Sequence, residues 1–302
     1  MNKSLMGHAC AVFTVFIWGI TFVSSKVILE DLTPLELLFD RFLIAFIAFT
    51  VFMRSFRLYP SLKLNLYAAS AAFFGITFYF MLENGALTYA PAANVSLIVS
   101  SAPLFVGIVD RICGDSKRLS CSFWTGFVVA FAGIACLSWN SLQLSLNPLG
   151  DLFSVMAAVS WAFYNLFVRK IYVQEPSVAK CTQILFFYGV LLCLPLMLFQ
   201  GFELKAESLV KPEILWNLLF LSVLCSSVGF ASWNEALHTI GPIKTNVYLY
   251  GQPVITAIFA YFLIDEPVTF YTVSGMILIT LGLLISQDVK MGSLLKVLER
   301  KK

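Results

Sequence analysis

Ten apolar runs, each close to twenty residues, dominate the chain: residues 6–28, 34–53, 64–87, 91–111, 121–139, 149–171, 179–200, 213–237, 242–264 and 269–287. Each ends at a Pro, a Gly or a cluster of charges, and the segments between them are short. A helix rises 1.5 Å per residue, so about 20 residues cross the hydrocarbon of a bilayer. In that solvent the backbone must satisfy its own N–H and C=O groups, which leaves helices and closed barrels. These runs lack the alternation of barrel strands. The expected fold is an all-α integral membrane protein with ten transmembrane helices. Composition agrees: 59% of the residues are hydrophobic and 12% charged, where soluble domains carry about 25% charged. Mean hydropathy is +0.86. The first run lies in "MNKSLMGHACAVFTVFIWGITFVSSK". It is too long for the apolar core of a signal peptide and no A-x-A site follows it, so it reads as a retained span.

Basic residues concentrate on the side of the membrane where a chain is not translocated. With a cytoplasmic N-terminus, sixteen of the 20 Lys and Arg fall on the cytoplasmic side; Lys26, Arg41, Lys205 and Lys211 remain on the other. Both termini are therefore expected in the cytoplasm, with residues 288–302 as a basic tail, solvated or lying on an anionic leaflet. The seven cysteines are scattered without a C-x-x-C, and there are two histidines, so neither a disulfide framework nor a metal site is expected. No cofactor is expected. The basic residues form no patch with stacking aromatics, which argues against nucleic acid as a partner. An enzyme would want a nucleophile–base set, and neither H-E-x-x-H nor G-x-S-x-G occurs. The absence of a P-loop argues against ATP-driven work by this chain, and no filter-like loop suggests a channel.

The chain also repeats itself. "ENGALTYAPAANVSLIVSSAPLF" parallels "WNEALHTIGPIKTNVYLYGQPVI": Asn84, Ala86, Leu87 and Pro103 recur as Asn234, Ala236, Leu237 and Pro253. Gly126 and Gly133 recur as Gly275 and Gly282, Trp18 as Trp161, Lys26 as Arg169, and Pro34 as Pro176. The expected units are residues 6–139 and 149–287, five spans each. Five is odd, so the second unit enters the membrane upside down. Inverted repeats of this kind are typical of secondary transporters that alternate access around a central site.

"WGITFVSSKVILEDLTPLELLFDRF" resembles the first span pair of the EamA-type transporter family of the drug/metabolite transporter superfamily. "ALTYAPAANVSLIVSSAPLF" and "GQPVITAIFAYFLIDEPVTFYTVSGMILITLGLLIS" resemble its fourth, ninth and tenth spans. The resemblance covers residues 10–287 and implies a ten-span exporter or exchanger of small metabolites in the plasma or inner membrane. Monomer and homodimer are both compatible with the sequence. In two places the halves differ: Gln183 stands where Arg41 would recur, and Glu266 is answered only loosely, by Asp115.

Ionisable groups inside a span are costly, about 2.5–3.5 kcal/mol at the centre on insertion scales, and they usually face a cavity or a partner. Arg41 lies two turns inside its span, placed to hold a substrate carboxylate or to close a gate with Glu83; Asp40 and Glu36 are alternative partners in a structural ion cluster. Lys26 and Arg169, near opposite faces, are candidate gates against the simpler reading of charges that snorkel from helix ends. The pairs Glu83-Asn84 and Asn234-Glu235 are read as ending spans 3 and 8, where either carboxyl could couple transport to a proton if poorly hydrated. Trp18 shares a face with Thr14, Thr21 and Ser25, and Trp161 with Ser154, Ala158 and Asn165; both faces suit a cavity for a small, partly apolar cargo. Tyr248 and Gln252 are expected to join that cavity, with Pro103 and Gly251–Pro253 as hinges. The cavity is expected to form between spans 1, 3, 4, 6, 8 and 9. The paired glycines are read as helix-packing positions. So few cations favour a neutral or zwitterionic, amino-acid-like or drug-like cargo; import or antiport of sugars or nucleotide-sugars is the alternative.

Overall fold

The structure is a computed structural model that describes residues 3–113, 120–143, 148–200 and 206–286. Within them every regular element is helical. The helices are α1 (Lys3–Ile28), α2 (Pro34–Met53), α3 (Leu62–Tyr89), α4 (Ala92–Ile112), α5 (Cys121–Gln143), α6 (Leu149–Tyr172), α7 (Val178–Gln200), α8 (Pro212–Ile240), α9 (Pro242–Val247, Tyr248–Gly251 and Gln252–Ile264) and α10 (Phe270–Ser286). A single turn, Ala206–Leu209, precedes α8. Among the described residues, seven helices are long and apolar enough to cross a membrane: α1, α3, α4, α6, α7, α8 and α9. Two shorter apolar helices, Cys121–Leu137 and Phe270–Ser286, accompany them. The remaining long helix, α2, carries Glu36, Asp40 and Arg41 in its first half. The expected tail 288–302 and Asp115 lie outside the described residues.

Local chemistry sets the ends. Thr33 and Glu36 cap α2 reciprocally: the Glu36 N–H donates to Thr33 Oγ1 at 3.3 Å and the Thr33 N–H to Glu36 Oε2 at 2.7 Å. Pro34 at the first helical position loses no bond. Arg54, at φ 54°, ends the same helix in the left-handed region. Helices α4 and α9 are each broken just before a proline. In α4 the break is at Ser100–Ser101, whose hydroxyls donate to the carbonyls of Ser96 at 2.7 Å and Ile98 at 2.6 Å. In α9 it is the 3₁₀ turn Tyr248–Gly251 ahead of Pro253. A proline cannot supply the N–H that would carry the winding through.

Helices α3 and α8 hold an irregularity that hydrophobic pattern does not announce. Each widens to π winding in its middle, at Phe73–Thr77 and at Phe220–Val228. Wider turns disturb the carbonyl ladder, and neighbouring helices use the carbonyls there. Ser160 Oγ donates to Phe74 O at 2.6 Å, and Trp18 Nε1 donates to Cys225 O at 2.9 Å.

Short connections fold the helices back on one another. One end of the bundle gathers the end of α1 with the starts of α2, α4 and α8 and the end of α9; there Lys211 Nζ meets Asp31 Oδ1 at 2.6 Å. At the other end Gln183 Nε2 donates to Ser55 O at 2.8 Å and to Thr50 Oγ1 at 3.1 Å, so the residue standing where Arg41 would recur anchors α7 to the end of α2.

Helices α5 and α10 approach most closely at the paired glycines. A Cβ at Gly282 would lie 2.4 Å from Ala130 N and 2.5 Å from Gly126 O, and one at Gly126 2.3 Å from Gly282 O. These are backbone atoms that cannot swing aside. Gly282→Ala must therefore push the two helices apart, at a cost of about 1–3 kcal/mol. Thermal unfolding in detergent should show a clear drop for Gly282→Ala. Gly251→Ala should show little, because its new Cβ meets only Val15 at an ordinary 3.7 Å. Equal melting of the two variants would contradict the close approach.

Candidate functional site

The interior of the bundle is an aromatic cluster. Trp18 of α1 sits 5.6 Å edge-on from Trp161 of α6, 5.1 Å from Trp233 and 5.2 Å from Phe230, both of α8. Trp161 also meets Tyr79 of α3 at 5.1 Å and Tyr164 of its own helix at 4.6 Å. Gly229 makes room for this: a Cβ there would lie 2.8 Å from the Trp18 indole nitrogen. Inside the cluster is a cavity of about 20 Å³, lined by Trp18, Thr21, Arg41, Tyr79, Phe80, Glu83, Trp161, Phe230 and Gln252. That is room for about one water molecule.

Two ionisable groups face this space. Arg41 is 1% exposed. Its Nε donates to Ser226 Oγ at 2.8 Å, and its guanidinium lies 4.4 Å from the centre of the Phe80 ring and 5.4 Å from that of Phe42. A desolvated cation–π contact contributes about 2 kcal/mol. Arg41 Nη1 has no hydrogen-bond partner among the described residues. Glu83 is 2% exposed. Its Oε2 accepts from Tyr79 OH at 2.6 Å, while Oε1 has no partner among the described residues. The two side chains share the cavity without forming an ion pair. Neither Asp40 nor Glu36 pairs with Arg41: Glu36 is spent on the α2 cap, and half-buried Asp40 lies away from the cavity. Successive helical residues diverge by about 100°, which separates the adjacent Asp40 and Arg41.

Beside the cavity a polar network links α6 to α9. Trp161 Nε1 donates to Asn246 Oδ1 at 3.2 Å, Asn246 Nδ2 to Asn165 Oδ1 at 3.0 Å, and Asn165 Nδ2 to Trp161 O at 2.7 Å. Asn165 thus stands behind Trp161, facing a second space of about 240 Å³ with Arg169, Leu237, His238 and Pro242. A third space, of about 330 Å³, lies at the opposite end of the bundle between Lys26, Leu87, Thr88, Pro91 and Glu266. The two vestibules use matching parts of the chain: Leu87 and Thr88 in one, Leu237 and His238 in the other. One holds both members of an ion pair and the other holds one member. Lys26 Nζ contacts Glu266 Oε1 and donates to Ala90 O at 3.2 Å, and Glu266 Oε1 also accepts from the Ala92 N–H at 3.0 Å. At the other end Arg169 Nη2 lies 3.4 Å from Asp110 Oδ1. Asp110 pairs with Arg169 as Glu266 does with Lys26; Asp115, the expected counterpart of Glu266, lies outside the described residues.

Several sequence expectations need correction. Glu83-Asn84 and Asn234-Glu235 do not end their helices, which run on to Tyr89 and Ile240; Glu83, Asn84 and Asn234 are fully buried. Asn84 Nδ2 donates to Pro34 O at 3.2 Å, tying α3 to the start of α2. Asn234 accepts from Tyr164 OH at 2.7 Å and donates to Thr182 Oγ1 at 3.0 Å, tying α8 to α6 and α7. Glu235 accepts from Thr239 of its own helix at 3.0 Å and is not among the cavity residues. Tyr248 also stays outside: its OH lies 2.8 Å from His8 Nδ1, because the 3₁₀ turn rotates it away from Gln252. Gln252 does line the cavity, with Nε2 3.4 Å from Trp18 O. The cavity draws on α2 through Arg41, and α4 contributes no lining residue. Sequence reasoning also passed over Tyr79, Phe80, Phe230, Trp233 and Ser226; an aromatic every third or fourth position in an apolar helix looks like any lipid-facing bulk.

A helical membrane bundle with a charged interior cavity and a vestibule toward each end is the architecture of a membrane transporter. The EamA-like transporter family matches residues 5–139 and again 148–286, and the chain belongs to that family. An uncharacterized transporter of Archaeoglobus fulgidus is 28% identical over 92% of this chain and 96% of its own length. A protein of Escherichia coli described as a probable amino-acid metabolite efflux pump is 28% identical over 94% of this chain and 97% of its own. The Escherichia coli inner membrane transporter YedA is 26% identical over 82% of this chain and 80% of its own. A solved crystal structure superposes with a TM-score of 0.61 over 95% of this chain and 97% of that one; at 17% identity the likeness concerns the fold alone.

The Asn246 amide completes two buried hydrogen bonds at once. Asn246→Ala should therefore lower thermal stability by about 1–3 kcal/mol, the penalty for a stranded buried donor, and should alter the tryptophan emission that reports on Trp161. Unchanged melting and emission would mean that the network contributes nothing.

Proposed function

We propose that this chain is a secondary exporter of small neutral or zwitterionic metabolites in the plasma or inner membrane, working by alternating access. One observation carries the reading: a small buried cavity, too small in this state for any metabolite, lies between two vestibules at opposite ends, each bordered by an ion pair. In this reading the chain crosses the membrane ten times, both termini are cytoplasmic, and residues 6–139 and 149–287 are inverted halves. The vestibule at Lys26 and Glu266 then faces outward and the one at Arg169 and Asp110 faces the cytoplasm. Opening either side breaks its own ion pair while the other holds. The relative named as a probable amino-acid metabolite efflux pump supports export and an amino-acid-like cargo. The cavity's one cation also favours such cargo over a nucleotide-sugar, whose phosphates would call for several. The cargo is held by Arg41 among Trp18, Trp161 and Gln252. Glu83, which shares the cavity, is the better placed of the two carboxylates for proton coupling, since Glu235 does not reach it.

Two measurements test this. Overexpression should enrich a neutral or zwitterionic metabolite in the medium, and Arg41→Ala should abolish the enrichment while folded protein persists in the membrane. Accumulation inside the cells instead would reverse the direction. For the ion pairs, a cysteine-free background carrying Thr88→Cys or His238→Cys reports access to each vestibule. Glu266→Gln should raise labelling at position 88 and lower it at 238, and Asp110→Asn should do the opposite. Changes in the same direction at both positions would sink reciprocal gating.

A further inference from the structure

We infer that Arg41 and Glu83 form a two-point clamp for a free α-amino acid, Arg41 taking the carboxylate and Glu83 the ammonium. The inference rests on the transporter reading above and names the chemistry of its cargo. It begins with the two unanswered atoms. Arg41 Nη1 is a buried donor and Glu83 Oε1 a buried acceptor, both without partners, and their side chains line the same cavity. The remaining contacts fix the two heads rather than satisfy them. Ser226 holds Arg41 through Nε, which leaves an amino end of the guanidinium fork for a carboxylate. Tyr79 holds Glu83 through Oε2, which leaves Oε1 to accept from a cation.

Charge balance then selects the ligand. An isolated buried charge is expensive, and a partner that leaves one uncompensated is rejected. A simple anion would answer Arg41 and strand Glu83. A simple cation would answer Glu83 and strand Arg41. An uncharged sugar would answer neither. A zwitterion carrying both charges close together answers both and adds no net charge. In a state whose cavity is wider than the roughly 20 Å³ seen here, Trp18, Trp161 and Phe230 complete the enclosure as apolar faces for its side chain and as π surfaces near the ammonium.

Thermal-shift titration of the purified chain tests the clamp with the twenty common amino acids, then with the N-acetyl and carboxamide derivatives of those that bind best. N-acetylation removes the ammonium and amidation removes the carboxylate, so each should weaken binding about tenfold or more. The variants give a readout that a merely structural role would not: Glu83→Gln should weaken the free amino acid and leave the N-acetyl form unchanged, and Arg41→Gln should weaken the free amino acid and leave the carboxamide unchanged. If a variant does not fold, the derivatives on the unaltered chain decide alone. N-acetyl binding equal to that of the free amino acid overturns the role of Glu83. Carboxamide binding equal to it overturns that of Arg41. Failure of all twenty to bind overturns the clamp, while continued efflux of some other metabolite would leave the exporter reading standing.

Discussion

A charge enclosed by hydrocarbon must be answered by something other than water, and Arg41 is answered only in part. Ser226 and the faces of Phe80 and Phe42 hold it in place. None of them neutralises it. The nearby carboxylate of Glu83 is instead turned toward Tyr79. Much of the surrounding structure follows from keeping these two groups apart and dry. The tryptophans wall them in, the π winding of α8 offers the Cys225 carbonyl that fixes Trp18, and Gly229 leaves the space for that indole. A polar site inside a membrane protein is held by such supporting contacts as much as by the groups that meet the ligand.

The same constraint accounts for the many side-chain hydroxyls and amides spent on backbone carbonyls. Thr182 and Ser154 bond one turn back within their own helices, whereas Thr14, Ser160, Thr256 and Ser227 reach across to another helix. In lipid there is little hydrophobic force to drive helix against helix, so small residues and interhelical hydrogen bonds take its place. Asn84 and Asn234 serve this purpose at matching points of the two halves: Asn84 ties α3 to α2, and Asn234 ties α8 to α7, the helix that corresponds to α2, and accepts from α6 as well.

Helix positions were legible because hydrocarbon thickness and apolar length are directly coupled: the run 64–87 became Leu62–Tyr89, and 149–171 became Leu149–Tyr172. Trp18, Trp161, Arg41 and Gln252 were legible as cavity residues because small polar neighbours at helical spacing mark an interior face. Tyr248 was not, since the 3₁₀ turn that rotates it depends on how α9 packs. Glu83 looked like an interfacial residue because Asn84 and Gly85 resemble the end of a helix, yet the helix continues through them. The π windings leave no trace in hydrophobic pattern, and Ser226, 185 residues beyond Arg41, becomes its partner only through tertiary folding. Asp110 escaped notice because it lies inside the apolar run 91–111, and at the repeat offset of 150 it falls on Ala260, which is not acidic.

The glycine contact between α5 and α10 has a mechanical consequence. Gly126 and Gly282 bring backbone against backbone, with Gly133 and Gly275 doing the same two turns away. Side chains can change rotamer to follow a sliding helix, but main chain cannot. Two such points seven residues apart therefore block both translation and roll of one helix past the other.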